Sequence, residues 1–182
     1  MDFADIQKNL KDGENMGGIK QIIYYGLHKD VATWPSKPED PATLEALGKL
    51  TGDIAMKPGK RMFEFYLTDD TGELEFETVG EKDGKSYVMH LRAFHPGLMD
   101  KILGFMNAVK NENMVFIVPD NNGQFFLMGD ELRPATLEGS DENAGTSKET
   151  AGRRGLSIHF TYKTSNLFEY VGSVPTTEAA SV

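Results

Sequence analysis

The chain has 182 residues, of which 39% are hydrophobic and 26% charged, so it can bury the core of one soluble domain. It contains no cysteine, which excludes disulfides, thiolate metal sites and cysteine nucleophiles. A net charge of −9 argues against a broad basic surface that grips nucleic-acid phosphates. Neither a secretory signal nor an apolar run of bilayer-spanning length (roughly 20 residues) occurs, so we expect a cytoplasmic location and no membrane partner.

The N-terminal third divides into three segments. Residues 1–18 are polar and glycine-rich and predict a short helix or a loose arm. Residues 19–27 are β-branched and aromatic, which predicts a first strand. Residues 28–60 form a proline-rich excursion with a short helical pattern at about 41–50, where Pro41 suits the first turn. Excursions of this length are usually functional or are stabilised by a partner.

A hairpin and a third strand are predicted next. Residues 61–68 and 73–79 alternate in polarity around the Asp-Asp-Thr-Gly sequence at 69–72, which favours a turn. Residues 85–93 follow an Asp-Gly pair and predict another strand. Together the three segments predict an antiparallel meander, the smallest sheet that is stable on its own.

The period of the apolar residues changes after Pro96 and Gly97. Spacing typical of an amphipathic helix predicts a principal helix over about 97–111. Its apolar stripe consists of Leu98, Ile102, Phe105, Met106 and Val109. Strands are then predicted at 114–118 and 124–129, separated by a Pro-Asp-Asn-Asn-Gly turn.

The C-terminal third predicts further strands and two unstructured segments. Residues 133–138 suit an edge strand because Pro134 fits poorly in a sheet centre. Residues 139–155 are polar and glycine-rich and predict a mobile loop. Residues 156–163 alternate strictly between apolar and polar side chains, which is typical of a half-buried strand. A last strand is predicted at 167–171, before a disordered tail at 173–182.

These elements predict an α+β, mainly β fold in a single domain over residues 19–172. We expect an antiparallel β-sandwich or rolled sheet that carries one principal amphipathic helix and one short helix.

No catalytic motif occurs: there is no nucleophile elbow, phosphate-binding loop, zinc-protease motif or calcium loop. His90 and His95, five residues apart, could converge with His28 or His159 on a metal. Ordinary structural roles suit such unpatterned histidines better, so we predict that the chain is not an enzyme and holds no cofactor and no metal.

Acidic side chains alternate along the predicted hairpin. Their positions place one carboxylate on its first strand and three on its second, namely Glu64, Glu73, Glu75 and Glu77. One interpretation is a solvated face that discourages aggregation at the sheet edge. The other is a surface that must stay negative, such as a channel lining to which DNA does not adhere.

The stretch from about residue 60 to 172 resembles phage tail tube proteins. The resemblance lies in the helix LMDKILGFMNAVKN, the following MVFIVPDNNGQFFLMGDELRPATLEG, the glycine-rich GTSKETAGRRG, and the strand-rich LSIHFTYKTSNLFEYVG. The N-terminal GGIKQIIYY, followed by a proline-rich excursion with Trp34-Pro35, is similar to phage structural proteins as well.

This resemblance implies a virion subunit that forms a ring, commonly a hexamer, which stacks into a tube for DNA passage. The acidic face would line the lumen, with DNA as passing cargo and other tail proteins as partners. The excursion and the 139–155 loop would contact neighbouring subunits, with Trp34, Pro35, Arg153 and Arg154 as candidate interface residues. The protein would reside in the virion tail, or in the host cytoplasm before assembly.

Other interpretations remain open from the residues themselves. Trp34 could anchor a partner or pin the excursion onto its own core. A rolled sheet closed by the helix could be a small-molecule or peptide binding module. Its cavity would be lined by Phe63, Phe65, Phe105, Phe125 and Phe126. An enzyme would assemble its site from His90, His95 and scattered carboxylates.

Overall fold

The computed structural model describes residues 3–6, 15–139, 144–146 and 152–180. Strand residues make up 42% and helical residues 11%, which confirms the predicted α+β, mainly β class. The helical elements described are a 3-10 turn at His28–Asp30, α1 (Leu44–Leu47) and α2 (Asp100–Val109). The strands described are, in chain order, β1 (Ile22–Leu27), β2 (Val31–Thr33), β3 (Lys49–Leu50), β4 (Ala55–Met56), β5 (Phe63–Tyr66), β6 (Glu73–Val79), β7 (Ser86–Pro96), β8 (Met114–Pro119), β9 (Phe125–Met128), β10 (Thr136–Leu137), β11 (Ala144–Thr146), β12 (Arg154–Thr164) and β13 (Glu169–Tyr170).

Two sheets pack face to face as a β-sandwich. The six-stranded sheet has the order β3-β13-β9-β8-β1-β5, and all neighbours are antiparallel except β13 and β3. The five-stranded sheet runs β10-β12-β7-β6, and β11 pairs with β12 as well. A separate ribbon is formed by β2 and β4.

The first hydrophobic core fills the space between the two sheets. The strict alternation of β12 explains its contribution, since every second side chain points inward. The inward residues Leu156, Ile158, Phe160 and Tyr162 are all buried, as the sequence pattern predicts. The outward His159 and Thr161 are buried as well, at 7% and 5% exposure, so the prediction that β12 is only half-buried is wrong. The ring of Phe160 meets Phe116 of β8 with 4.6 Å between centroids, which joins the two sheets at their centre.

Helix α2 closes one end of the sandwich. Its predicted stripe is confirmed from Ile102 to Val109, whereas Leu98 precedes the helix. Ile102 and Val109 are buried, and Phe105 packs against Tyr25 of β1 and Phe65 of β5 at 5.2 and 5.0 Å between ring centroids. The helix begins at Asp100, later than expected, because Gly97 has a left-handed φ of +86° that ends the preceding strand. No helix in the described ranges has the length and apolarity needed to cross a bilayer.

The predicted hairpin of residues 61–68 and 73–79 is wrong. Strand β5 pairs with β1 in one sheet, and β6 pairs with β7 in the other. The connection crosses between the sheets because Leu67 turns into the first core, where it is 1% exposed. Next to it, the Thr68 N–H donates to the Phe94 carbonyl oxygen of β7 at 2.8 Å. Only the β6–β7 part of the predicted meander is formed.

The excursion at residues 28–60 folds over the outer side of the six-stranded sheet. It builds a second hydrophobic core there, whose buried members are Val31, Leu50, Ile54, Met56, Met62, Val115, Ile117, Leu127 and Tyr170. The short predicted helix is confined to α1. Thr43 caps it by accepting the Ala46 N–H at 3.2 Å, and β3 follows directly after Gly48. The excursion is therefore stabilised within its own chain.

Residues 173–180 of the predicted tail lie along residues 59–62. The Met62 N–H donates to the Pro175 carbonyl oxygen at 2.8 Å, and the Gly59 N–H donates to that of Ala179 at 2.9 Å. This part of the chain thus has a defined place beside the excursion. Residues 1–2 and 7–14 of the predicted arm, and all of the predicted mobile loop except 139, 144–146 and 152–155, lie outside the described residues.

Replacing Tyr170 by Phe should destabilise the protein by about 1–3 kcal/mol, because a buried donor loses its partner. The Tyr170 hydroxyl accepts the Ile54 N–H at 3.0 Å and donates to the Ser173 carbonyl oxygen at 2.6 Å. Urea unfolding measures the change. Tyr66→Phe is the matched control, since Tyr66 is 46% exposed. Equal midpoints for the two variants would contradict a structural role of the Tyr170 hydroxyl.

Candidate assembly face

The side of the five-stranded sheet that points away from the first core is polar. It is formed by alternate residues of three neighbouring strands, and we call it the outer face. The residues that define it are Glu73, Glu75 and Glu77 of β6, Val88, His90 and Arg92 of β7, and His159, Thr161 and Lys163 of β12. Register pairs Glu73 with Arg92 and Glu75 with His90 across β6 and β7. The face is therefore fixed by backbone pairing rather than by flexible loops.

Arg92 offsets part of the negative charge on this face. Its guanidinium Nη1 lies 2.7 Å from Oε2 of Glu75 and 3.9 Å from Oε2 of Glu73. The hydrogen bond from Arg92 lowers the pKa of Glu75 below its usual value. The side chains of Glu73, Glu75 and Glu77 keep 63%, 50% and 54% of their surface exposed. Such exposed ion pairs contribute little to stability, so the carboxylates remain a solvated surface.

A hydrogen-bonded row of Glu77, His90 and His159 crosses the outer face. His90 Nε2 lies 3.0 Å from Glu77 Oε2, and His90 Nδ1 lies 3.0 Å from His159 Nε2. When His90 is neutral and its Nε2–H donates to Glu77, its Nδ1 is the acceptor, so His159 Nε2 carries the proton between the rings. The sequence did not reveal this contact, because it depends on the register between β7 and β12.

The four histidines do not converge on a metal. His90 and His95 point to opposite faces of β7 because they are an odd number of residues apart. His95 donates from Nδ1 to the Tyr66 carbonyl oxygen at 2.7 Å, and His28 donates from Nε2 to that of Asp130 at 2.6 Å. Over the described parts of the chain, no three histidines or carboxylates are grouped so that they could hold a metal ion.

Glu64 does not share a face with Glu73, Glu75 and Glu77, so the prediction that all four glutamates form one acidic face is wrong. It lies on β5, where it pairs with Tyr24 of β1 in the six-stranded sheet. Because the chain between β5 and β6 crosses from one sheet to the other, Glu64 and the three glutamates of β6 are in different layers. Only Glu73, Glu75 and Glu77 share a face.

The candidate interface residues fall into two separate pairs. Trp34 and Pro35 lie on the excursion, where the half-buried Trp34 ring packs on the second core and against His28 at 5.0 Å between centroids. Arg154 is the first residue of β12, and Arg153 directly precedes it. The Arg153 guanidinium sits 5.5 Å from the centroid of the Phe94 ring, and Arg154 donates to the Leu98 carbonyl oxygen at 3.4 Å. The structure does not bring the two pairs together.

A cleft of about 430 Å³ opens beneath Trp34, between the excursion and the loop after β9. Asp130 organises its wall: its Oδ2 accepts hydrogen bonds from Lys37 Nζ at 2.8 Å and from the Tyr162 hydroxyl at 3.0 Å. Its Oδ1 accepts the backbone N–H groups of Leu132 and Arg133. Burial raises the pKa of Asp130, but the hydrogen bonds outweigh burial and bring this pKa below its usual value.

The five phenylalanines expected to line one cavity are distributed over three places. Phe63, Phe65 and Phe105 cluster around Tyr25 at the α2 end of the sandwich. Phe125 packs against the second core, on the other side of the six-stranded sheet. Phe126 meets Phe76 of β6 at 5.3 Å between ring centroids. A single aromatic cavity under the helix is therefore not formed by these residues.

Comparison with protein-family profiles, with curated proteins and with solved structures finds no match to this chain.

Replacing Asp130 by Asn should lower stability at neutral pH by about 1–2 kcal/mol, the scale of a charge-assisted hydrogen bond at a partly exposed group. The folded-state pKa of Asp130 is depressed, so its stabilisation is present above the unfolded value of about 3.9 and disappears as the pH falls through the folded value. Urea unfolding midpoints of the wild type and of Asp130→Asn should be measured at pH 7 and in steps from pH 5 to pH 2. The difference between the two midpoints should shrink as the pH falls. Asp40→Asn, an exposed acid, is the control; a constant gap at every pH would contradict this account.

Proposed function

We propose that this protein is a structural subunit that assembles with copies of itself into a ring or tube of the phage tail tube type. In this proposal the outer face lines a channel through which DNA passes. The observation that carries the proposal is the contrast between the two sheets. The central strand β8 of the six-stranded sheet is buried on both sides, whereas the β6 glutamates of the five-stranded sheet remain open to solvent.

The charge of the outer face suits a channel for a polyanion. Its defining residues carry three carboxylates and two permanent cations, Arg92 and Lys163. A further carboxylate, Glu138, borders the face and accepts a hydrogen bond from the Thr161 hydroxyl at 2.7 Å. A net negative lining repels phosphates, so DNA would slide past without adhering.

The edges of the five-stranded sheet suit lateral assembly. Among the described residues β6 pairs only with β7, which leaves the outer edge of a seven-residue strand free. The opposite edge consists of the short strands β10 and β11 beside β12. An exposed edge is a template for pairing with another chain. If β6 of one copy extended the β10 and β11 edge of the next, the outer faces would join into one continuous wall.

The first test is assembly itself. Sedimentation velocity and negative-stain electron microscopy over a concentration series should show rings or tubes with a channel wide enough for duplex DNA. Particles that remain monomeric at every concentration would sink the proposal.

Reversing the charge of the face should create DNA binding. The triple variant Glu73→Lys, Glu75→Lys and Glu77→Lys should bind duplex DNA with an affinity that falls steeply with salt, whereas the wild type should not bind. A matched control replaces Glu39, Glu81 and Glu131 by Lys, since these residues are exposed and lie off the outer face. Fluorescence anisotropy at 50 and 200 mM salt compares them. Equal binding by both triple variants would show that net charge, not the outer face, governs contact with DNA.

One observation favours a second function, that of a small-molecule or peptide binding module. The cleft beneath Trp34 has a volume within the range of ligand pockets, and it combines aromatic walls with Lys37, Asp130 and Tyr162. This function predicts a stable monomer whose melting temperature rises when a ligand binds, and the sedimentation experiment above separates it from assembly.

A further inference from the structure

Residues 3–6 carry two apolar side chains that remain open to solvent. Phe3 is 87% exposed and Ile6 is 90% exposed. They alternate with acidic residues in the sequence, since Asp2 precedes Phe3 and Asp5 precedes Ile6. A short segment that exposes apolar groups beside carboxylates is suited to an apolar groove rimmed with cations.

A groove of this chemistry lies between α2 and the β1–β5 edge of the six-stranded sheet. It has a volume of about 530 Å³, and we call it the helix cleft. Its apolar floor includes Tyr25, Phe63 and Phe105. Phe63 is a large hydrophobic residue that remains 43% exposed. The cleft therefore presents aromatic surface to which another apolar segment could add.

The rim of the helix cleft is more basic than the chain as a whole. Three cations line it, Lys60, Arg61 and Lys101, against the two carboxylates Asp30 and Glu178. Lys60 pairs with Asp30 at 3.5 Å. The Arg61 guanidinium lies over the Phe63 ring at 4.3 Å, and within the described residues neither Arg61 nor Lys101 forms an ion pair. In a chain with a net charge of −9, this rim is a local site for acidic side chains.

Met16 and Gly17, which follow the arm in sequence, and the helix cleft lie at opposite ends of β8. The side chains of Asn121 and Asn122, in the turn after β8, bind the backbone of Met16 and Gly17 and fix these two residues at that end. The cleft includes Met114, at the other end of β8. The length of this strand separates the two places by about 17 Å.

We infer that residues 3–6 of one copy dock in the helix cleft of the next copy, with Phe3 and Ile6 against the aromatic floor and Asp5 facing the basic rim of Arg61 and Lys101. The inference rests on the proposed self-assembly and names the contact that stacks one ring on another. Because the donor segment and the acceptor cleft are different surfaces of the chain, the contact between copies is head-to-tail and can propagate from one copy to the next.

Cysteine cross-linking tests this contact directly, because the natural chain contains no cysteine. One protein carries Ala4→Cys in the exposed arm, and a second carries Gly104→Cys on the cleft side of α2, where an added Cβ meets nothing within 4 Å. After the two are mixed and oxidised, a disulfide-linked heterodimer should form. Gly139→Cys, equally open, is the control acceptor on the five-stranded sheet side and should remain uncoupled.

Two results would overturn the inference. One is equal cross-linking of the Ala4→Cys protein to the Gly104→Cys and Gly139→Cys proteins, which would mean random collision. The other is a disulfide that forms only inside a chain carrying both Ala4→Cys and Gly104→Cys, which would mean that the arm occupies its own cleft. Dilution separates these cases, since coupling between copies depends on concentration.

A second variant separates this inference from the proposed function. Phe3→Ser with Ile6→Ser should leave rings intact but shorten or abolish their stacks, because ring formation uses the sheet edges instead. Stacks of normal length would refute arm docking while self-assembly stands. A wild-type chain that forms no rings would refute self-assembly, and the cross-linking result would still decide where the arm binds.

Discussion

Strand β8 carries apolar side chains on both of its faces. Met114, Phe116 and Val118 point into the first core, and Val115 and Ile117 point into the second. A strand buried on both sides needs a covering layer on each, and the second sheet supplies only one of them. The excursion at 28–60 supplies the other. These two layers cover the centre of the six-stranded sheet. The β6 glutamates of the outer face stay open to solvent, whereas His159 and Thr161 on the same face are buried.

Elements with strong local patterns could be predicted from the sequence. The apolar residues of β12 and the apolar stripe of α2 each follow from one side of an element facing a core. The burial of His159 and Thr161 on the other side of β12 does not follow from that alternation. Pairing partners could not be predicted in the same way. The turn sequence at 69–72 favours a hairpin, but the burial of Leu67 and the aromatic partners available to β5 on β1 direct the two strands into different sheets. Local turn chemistry carries no information about such distant partners.

In the candidate site, too, positions within one strand could be predicted from the sequence, whereas contacts between distant strands could not. The acidic alternation of β6 was visible in the sequence, and Glu73, Glu75 and Glu77 do share a face. Glu64 was misplaced because its assignment depended on the hairpin. The contact between His90 and His159 joins residues of two long strands far apart in sequence, and no spacing rule could find it. Asp130 was missed for a similar reason, since its partners come from three separate segments.

Strand β13 lies between β3 and β9, although it is the last of the described strands in sequence. The six-stranded sheet therefore cannot be completed until residues 169–170 have left the ribosome, long after its other strands. Pairing over such long sequence separations slows folding because the chain entropy is lost before the contacts form. During that interval β9 has an open edge and the second core lacks Tyr170. The order of strands thus makes completion of the monomer a late event, and a truncated nascent chain would expose apolar surface that the finished fold conceals.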